Sequence, residues 1–368
     1  MTRPPRILLA GGGTGGHVYP AIAIAQAIRS LVPESVIAFA GTRDHLEWTA
    51  VPAAGFAIHP ITISGFHRKQ LFRNVRFPFK LATGLWQSWS LVRDFDADVA
   101  VGTGGYVSGP VLWAANMHGR PTVAQEQNAY AGVTNRLVAR RSAQVHIAFR
   151  EARKWFPEGK CRLSGNPVRP ELRTVSRQQA RSALNLPPDA RVLFVFGGSL
   201  GSRAINEAMR CAAHKVLEDE RVHIIWQTGR LYYERMRAKQ HERLQILKYV
   251  DRMDLAYTAS DVVLARAGAI TCSELLFMAK PAILVPSPNV AEDHQTKNAE
   301  SMTRLGAAMH VPEEDLLHAL STLAPDLLRD AECQKAMSAA ARQAARPNAA
   351  RDIARDILDL VGYEVTVS

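Results

Sequence analysis

Cysteine is scarce and scattered in this chain: four residues in 368 (Cys161, Cys211, Cys272 and Cys333), with no Cys-x-x-Cys pair. That spacing speaks against a disulfide framework or a cysteine zinc site, and each thiol reads as a small buried apolar group. Long apolar runs are missing too. No stretch approaches the ~18–20 residues a membrane-crossing helix needs. The start, Met1-Thr-Arg-Pro-Pro-Arg6, passes at once into Ile7–Ala10, too short for a signal-peptide core, so a cytosolic chain is expected. Acids are in deficit: 34 Asp and Glu against 45 Lys and Arg leave a net charge of +11. Such an excess favours an anionic partner, whether nucleic acid, acidic lipid or phosphorylated substrate.

The charge is unevenly spread. Between Phe66 and Lys80 stand five cations (Arg68, Lys69, Arg73, Arg76, Lys80), four phenylalanines and no acid, and Trp86 and Trp89 follow. Cations interleaved with rings suit an anionic membrane surface. The same pattern also fits a solvated loop and helix whose rings face the core.

What is present is globular composition, 47% hydrophobic and 21% charged, in a length comfortable for two domains. A glycine-rich turn twice follows a short apolar run. Arg6-Ile-Leu-Leu-Ala10 leads into Gly11-Gly-Gly-Thr-Gly-Gly-His17, and Val192-Leu-Phe-Val-Phe196 leads into Gly197-Gly-Ser-Leu-Gly201. A buried parallel strand that ends in glycines and opens a helix presents bare amides and a positive dipole end to an anion. Two such turns predict two Rossmann-like domains facing a cleft that holds a nucleotide diphosphate.

Strands are expected at 6–10, 36–40, 98–101, 122–125 and 144–148, with helices at 20–31, 46–54 and 110–117. A third glycine turn falls at Gly102-Thr-Gly-Gly-Tyr-Val-Ser-Gly109. The second half repeats the alternation with strands at 192–196, 222–227, 245–249, 261–265 and 281–285. Such βα alternation predicts mainly parallel sheets covered on both faces. Gly165-Asn-Pro-Val-Arg-Pro170 reads as the linker, and the tail from Glu332 to Leu360 as helix broken at Pro347.

Gly11, Gly13 and Gly16 also satisfy the dinucleotide fingerprint, with Asp44 as a possible ribose acid. That alternative leaves the Gly197 turn unexplained. His17 puts an imidazole at the mouth of the cleft, where a helix N-terminus favours the neutral, proton-accepting ring; a locally bonded helix-start histidine is the plainer alternative. Asp94-Phe-Asp-Ala-Asp98 mimics a metal-binding Asp-x-Asp but precedes its strand, the wrong end for a ligand, so no metal site is expected. Asp261-Val-Val-Leu-Ala-Arg266 leads through Ala267-Gly268 into a helix whose first amides could hold a pyrophosphate. Glu274 would lie beside it, able to accept from ribose hydroxyls. Asp293 and Gln295, after the next strand, could bond sugar hydroxyls.

Taken together these motifs resemble the MurG family, bacterial UDP-N-acetylglucosamine transferases that complete lipid II of peptidoglycan. The likeness runs in order over nearly the full chain. It includes Gly12-Gly-Thr-Gly-Gly-His17, Gly104-Gly-Tyr-Val-Ser-Gly-Pro110, Glu126-Gln-Asn128 with Thr134-Asn-Arg136, and Gly165-Asn-Pro-Val-Arg169. It continues through Gly197-Gly-Ser199, Arg266-Ala-Gly-Ala269 with Glu274, and Asp293-His-Gln295 with Asn298-Ala299. The resemblance implies an α/β GT-B fold of two Rossmann-like domains. Residues 1–165 would meet acceptor and membrane, 166–344 would bind the UDP-sugar, and the helix at about 345–368 would pack back onto the first domain.

It further implies a metal-independent inverting transfer without cofactor, from UDP-N-acetylglucosamine to the 4-hydroxyl of the muramoyl sugar of lipid I. The enzyme would sit peripherally on the cytoplasmic face of the cell membrane, through the Phe66–Lys80 region, and would not bind nucleic acid. Carried over by motif, Thr14, Gly15, Gly16 and Asn128 would contact the donor from one side. Arg169, Ser199, the backbone at Val250, the segment Ala269, Ile270, Thr271, Cys272, Ser273 and Glu274, and Gln295 would hold it from the other. His17 is the expected base; Glu126 is the second choice, as base or as a residue positioning the acceptor. Leu200 departs from the family, which usually has glutamine there. Rival readings are a related glycolipid synthase, an NAD dehydrogenase and a non-catalytic basic binder.

Overall fold

The computed structural model describes residues 3–65 and 77–363, which form two compact units. The first joins the chain up to Val168 to the stretch from Asn348 onward, and the second runs from Arg169 to Pro347. Sequence reading set the breaks after 165 and 344. In the structure Gly165, Asn166 and Pro167 are buried, and the Asn166 amide donates to the Gln127 carbonyl at 3.0 Å, so this stretch is part of unit 1. The basic aromatic segment lies outside the described residues from Phe66 to Arg76; its end, from Phe77, opens a helix.

Unit 1 holds strands β1 (Arg6–Gly11), β2 (Val36–Gly41), β3 (Ala57–Pro60), β4 (Val99–Gly104), β5 (Thr122–Glu126), β6 (Gln144–Ile147) and β7 (Cys161–Leu163). They form one parallel sheet in the order β3-β2-β1-β4-β5-β6-β7. Ile7, Leu8, Leu9 and Ala10 are all buried, so β1 shows a continuous apolar run rather than alternation, as a strand covered on both faces must. Its helices are α1 (Gly15–Leu31), α2 (Glu47–Ala53), α3 (Phe77–Phe95), α4 (Gly105–Met117) and α5 (Val133–Ala139).

Unit 2 repeats the plan with β8 (Arg191–Phe196), β9 (Val222–Gln227), β10 (Leu244–Leu247), β11 (Val262–Ala265), β12 (Ala282–Leu284) and β13 (Ala308–His310). All are parallel, in the order β10-β9-β8-β11-β12-β13. Around them lie α6 (Arg177–Ala183), α7 (Arg203–Val216), α8 (Tyr233–Met236), α9 (Met253–Ala259), α10 (Ala269–Met278), α11 (His294–Arg304), α12 (Leu316–His318), α13 (Ala324–Arg329) and α14 (Ala331–Ala344). In each sheet the chain winds outward from the first strand, then returns to its other side. The turning points fall between β1 and β4 and between β8 and β11, where ligands of open parallel sheets bind beyond the carboxyl ends.

The last helix, α15 (Ala349–Leu360), belongs to unit 1. Ile353, Ala354, Ile357 and Leu358 make one buried stripe in the core that also holds Ile24, Ile28, Ile7 and Leu9. On its polar side Asp356 pairs with Arg162 of β7 and lies 3.8 Å from Nε2 of His146 on β6. Pro347 separates α15 from α14, as the sequence suggests.

Several boundaries differ from expectation. Helix α1 starts at Gly15 rather than Pro20, so the glycines are its first turn and Pro20 lies inside it. Strand β4 runs on through Gly104, and α4 begins at Gly105 rather than Pro110. The third glycine run is therefore a direct strand-to-helix junction. Strands β3, β7 and β13 were not expected; each is three or four residues long at a sheet edge, with no run that stands out from its surroundings.

The buried imidazole of His146, with Nδ1 at 2.7 Å from Ser164 Oγ, is pushed down to about 4 by burial, against the pull of Asp356. The unfolded chain then takes up the proton first as pH falls. The stability this group contributes is intact above about 6.5 and is lost as pH drops toward about 4. Urea unfolding of His146→Gln should show a flatter decline across that window. A curve parallel to the parent protein's would assign the acid sensitivity elsewhere.

Candidate active site

In unit 1, β1 ends at Gly11 and leaves Gly12 to Thr14 as a turn before α1. Gly13, at φ +89°, donates its N–H to Glu47 Oε2 at 3.0 Å. Glu47 is wholly buried, and its Oε1 accepts from the Thr42 amide at 3.1 Å and hydroxyl at 2.7 Å. Burial raises this carboxyl, but the bonds from Thr42 and Gly13 outweigh it and leave it below the usual range. The acid that follows β2 is thus committed to the loop, while Asp44 is exposed. Thr14 is the exposed N-cap residue of α1; its side chain caps nothing, and the first-turn amides of Gly15 and Gly16 have no intrahelical acceptor. The β4–α4 junction closes on this turn so tightly that a Cβ on Gly105 would stand 2.3 Å from the Gly12 carbonyl oxygen.

His17 is half-buried in the first turn of α1. Its Nδ1 lies 3.0 Å from the Thr103 carbonyl oxygen and 2.9 Å from Gln127 Oε1. A carbonyl only accepts, so Nδ1 carries the proton and the lone pair of the neutral ring is on Nε2. Glu126 is placed differently, at 1% exposure. Its Oε1 accepts from the Asn128 amide at 2.9 Å and the Asn128 side chain at 3.3 Å. Its Oε2 accepts from the Gly132 amide at 3.0 Å and Asn135 Nδ2 at 2.9 Å. This carboxylate organises the loop that carries half-buried Asn128.

In unit 2 a cavity of about 660 Å³ opens at the carboxyl ends of β8 and β11. Gly198, Gly201, Arg203, Arg266, Thr271 and Gln295 are among its walls. The N-termini of α7, capped by Ser202, and α10, preceded by Gly268, both reach it, with no acid in either first turn. Two positive dipole ends and two guanidiniums suit an anion; Glu207 and Glu313 also line the cavity, and Glu313 pairs with Arg266. Arg266 ties the walls together, donating to Pro286 O at 2.8 Å and Ser202 Oγ at 2.7 Å and pairing with Glu313. Gln227 links the glycine loop to Val250: its Nε2 donates to Gly198 O at 3.0 Å, and its Oε1 accepts from the Val250 amide at 2.8 Å. Val250 therefore has its carbonyl, not its N–H, left for a ligand.

Arg169 donates to Glu274 Oε1 at 2.9 Å, and the Tyr257 hydroxyl donates to Oε2 at 3.0 Å. Burial pushes the Glu274 carboxyl up, against Arg169 and Tyr257. Burial, with Glu274 beside it, lifts the Tyr257 phenol well above its ordinary value. For Arg169 burial acts downward, and Glu274 outweighs it to raise the guanidinium.

The structure gathers the expected residues unevenly. Thr271 and Gln295 line the cavity, and the Gln295 Oε1 accepts from the Ser287 amide at 2.9 Å. Ser199 is exposed between Gly198 and Leu200. Ala269 is buried and Ile270 half-buried in the first turn of α10, and the Ser273 hydroxyl donates to Ala269 O at 3.0 Å. Cys272 faces the core: its thiol is pushed to about 12 by burial, and its N–H bonds Gly268 O at 2.9 Å, so it offers a ligand nothing polar. Sequence reading assigns no role to Glu47, Gln227 or Ser202, and Gln127 stands in the Glu126-Gln-Asn128 motif without one of its own. Only Ser202 carried a usable signal, as an N-cap residue before a helical run. The Asp-x-Asp acids are engaged elsewhere, Asp96 with Arg3 and Arg120 and Asp98 with the Arg6 amide.

Comparison with known proteins adds to this geometry. Residues 7–147 match the glycosyltransferase family 28 N-terminal domain, and residues 192–355 match its C-terminal domain. The chain is 53% identical over 361 residues to the UDP-N-acetylglucosamine--N-acetylmuramyl-(pentapeptide) pyrophosphoryl-undecaprenol N-acetylglucosamine transferase of Salinibacter ruber, covering 98% of each. It is 42% identical over 372 residues to the protein of the same name from Bacteroides thetaiotaomicron, covering 99% of this chain and 100% of that one. The crystal structure of Acinetobacter baumannii MurG superposes with a TM-score of 0.78 at 30% identity, across 97% of this chain and 100% of that one.

Gly201 has φ +82°, and a Cβ there would stand 2.0 Å from the Thr228 carbonyl oxygen. Gly201→Ala should therefore displace the loop and weaken UDP binding at least tenfold by calorimetry. Unchanged affinity would mean that this loop does not shape the nucleotide site.

Proposed function

This chain belongs to glycosyltransferase family 28, among the N-acetylglucosamine transferases of lipid-linked muramyl pentapeptide, and we propose that it carries out the reaction for which those relatives are named. It transfers N-acetylglucosamine from its UDP conjugate to the muramoyl sugar of undecaprenyl-diphosphoryl-N-acetylmuramoyl-pentapeptide, turning lipid I into lipid II. The Gly-x-Gly-x-x-Gly fingerprint of Gly11 to Gly16 thus serves a sugar transferase, not a dehydrogenase.

The observation that carries the donor assignment is the unit 2 cavity with two helix N-termini and two arginines on it. The diphosphate of UDP lies at the amides of the Gly198 loop and α10, with Ser199 and Thr271 at hand. Glu274, steadied by Arg169 and Tyr257, accepts from the ribose hydroxyls, Gln295 meets the sugar, and the Val250 carbonyl meets the base.

The muramoyl 4-hydroxyl attacks the anomeric carbon from the face opposite UDP, so the α-linked donor gives a β-linked product. The bond from the anomeric carbon to the UDP oxygen breaks as the new glycosidic bond forms, and Nε2 of His17 takes the hydroxyl proton. The leaving diphosphate is stabilised by fixed amides and guanidiniums, without a metal ion; such preorganised donors are worth ~2.7–4 kcal/mol each in acyl transfer. Thr14, Gly15, Gly16 and Asn128 border the reacting sugars. Glu126 shapes the Asn128 loop rather than acting as base, because all four of its bonds are spent there.

Among the described residues, no helix is long and apolar enough to cross a membrane. Phe79 and Trp86 of α3 and Tyr106 and Met117 of α4 are nonetheless exposed. These rings, next in sequence to the cation-rich stretch Phe66–Lys80, mark the half of the chain that meets anionic lipid, on the cytoplasmic face where the UDP-sugar is found.

The test is transfer of labelled N-acetylglucosamine to a lipid I analogue with EDTA present. Product establishes donor, acceptor and metal independence together; donor binding without product points to another lipid acceptor, and absence of donor binding ends the reading. His17→Ala should lower kcat about 100-fold or more with donor affinity unchanged, the scale of general-base catalysis. Glu274→Ala should do the opposite, weakening UDP-N-acetylglucosamine at least tenfold. Parent-like titration of that variant would remove the ribose assignment.

A further inference from the structure

The reading of His17 as the base leaves open what holds its ring, and the buried amides behind it supply an answer. Gln127 follows β5 and is 1% exposed. Its Nε2 lies 2.6 Å from the Thr103 carbonyl oxygen and 3.0 Å from the Gln125 carbonyl oxygen. Both atoms only accept, so this end of the amide is the NH2 group. The other end, Oε1, is therefore the atom that faces His17 Nδ1 at 2.9 Å. Gln127 is itself pinned: Asn166 Nδ2 donates to its carbonyl at 3.0 Å, and Gln125 Nε2 donates to Asn166 Oδ1 at 2.9 Å.

We infer that Gln127 is the positioning residue of the reaction: it receives the Nδ1 proton of His17, aims Nε2 outward and steadies the imidazolium formed when Nε2 takes the acceptor's proton. The inference rests on His17 being the base. In many enzymes a carboxylate orients the catalytic imidazole and stabilises its cation. Here an amide oxygen and the Thr103 carbonyl oxygen fill that place without a full charge. A neutral partner stabilises the imidazolium less than a carboxylate would, so the ring gives up its proton more readily between turnovers. Gly104 makes the packing possible, since a Cβ there would stand 2.7 Å from His17 Nδ1.

Other titratable groups lie on the elements around the ring. Glu47 on α2 is bonded to Gly13 and Thr42, and Glu126 is turned onto Asn128, Gly132 and Asn135. Among the described residues, Tyr19 on α1 and Tyr106 on α4 are further titratable groups on the same elements. All are the same in parent and variant, so a change in the pH profile on substituting Gln127 reads Gln127.

The experiment compares the full-length parent, Gln127→Met, Gln127→Glu and His17→Ala, measuring kcat and donor KM with UDP-N-acetylglucosamine and a lipid I analogue across pH. Met keeps the bulk and removes the acceptor; kcat should fall roughly 10- to 100-fold with donor KM unchanged, and the acidic limb of the profile should move to lower pH. Glu places a carboxylate against Nδ1 and should move that limb upward by about one pH unit. Melting curves and UDP titration identify any variant that fails to fold, and the methionine variant carries the test if the buried glutamate does not fold. If His17→Ala loses turnover while neither Gln127 variant moves the limb, Gln127 is only structural and the inference falls, with the base intact. If His17→Ala turns over like the parent, the base reading falls and takes this inference with it.

Discussion

Close approach of one backbone to another, at the carboxyl ends of neighbouring parallel strands, is the constraint on which the candidate site depends. Strands β1 and β4 are such neighbours in unit 1, and β8 and β9 in unit 2. Neighbouring strand ends crowd the connections that leave them, and the crowding admits only glycine at the contacts. Gly105 lies against the Gly12 carbonyl, and Gly201 against the Thr228 carbonyl. With no side chain in the way, amides and helix ends come to the surface, and a charged ligand can reach them. The glycines are thus a packing requirement first and a ligand feature as its consequence.

This constraint explains why so much was legible beforehand. A buried apolar strand followed by glycines has a period and a break, both visible in residues 6–16 and 192–201. The fold class and the parallel sheets follow from such signals, whereas the packing of the last helix on the first domain was implied only by the family resemblance. The short edge strands β3, β7 and β13 carry no run that stands out from their surroundings, whereas β10, as short as β3 and also at an edge, is marked by its apolar Leu244, Ile246 and Leu247. The start of α1 was misplaced for a physical reason. Proline at a helix start is common, so Pro20 drew the boundary to itself, whereas the glycine loop already winds into helix at Gly15.

The site was legible where a residue type announces its chemistry and opaque where a bland residue supports another. His17, Glu274 and Gln295 stood out. Gln127, Gln227 and Glu47 did not, because an amide or acid with no periodic neighbour looks like any surface residue. Each is buried, and each satisfies backbone groups near an irregular connection: Gln227 for the Gly198 loop, Glu47 for the Gly13 turn, Gln127 for the Thr103 carbonyl at the end of β4. An unpaired buried polar group costs ~1–3 kcal/mol, so irregular loops below the surface must find such partners. Cys272 is the converse case. Its position in the α10 motif suggested a ligand contact, but helical geometry turns it into the core, where only its packing counts.

Magnitudes then divide the work between the units. A well-placed general base contributes ~10²–10⁴-fold, or about 3–5 kcal/mol of barrier. Fixed donors at the departing diphosphate supply ~2.7–4 kcal/mol each. Enzymes remove ~8–23 kcal/mol in all, so under the proposed mechanism a base at His17 alone is far too little, as is any one fixed donor in unit 2. The remainder must come from holding the two sugars in line, an effect worth ~7–11 kcal/mol when the reacting atoms are already oriented. Orientation on that scale tolerates little slack in the imidazole. A freely rotating ring would present Nε2 only part of the time and would lose the alignment that the glycine loops and buried amides maintain. The need for a fixed ring, more than for a strongly basic one, accounts for a fully bonded amide network behind a single histidine.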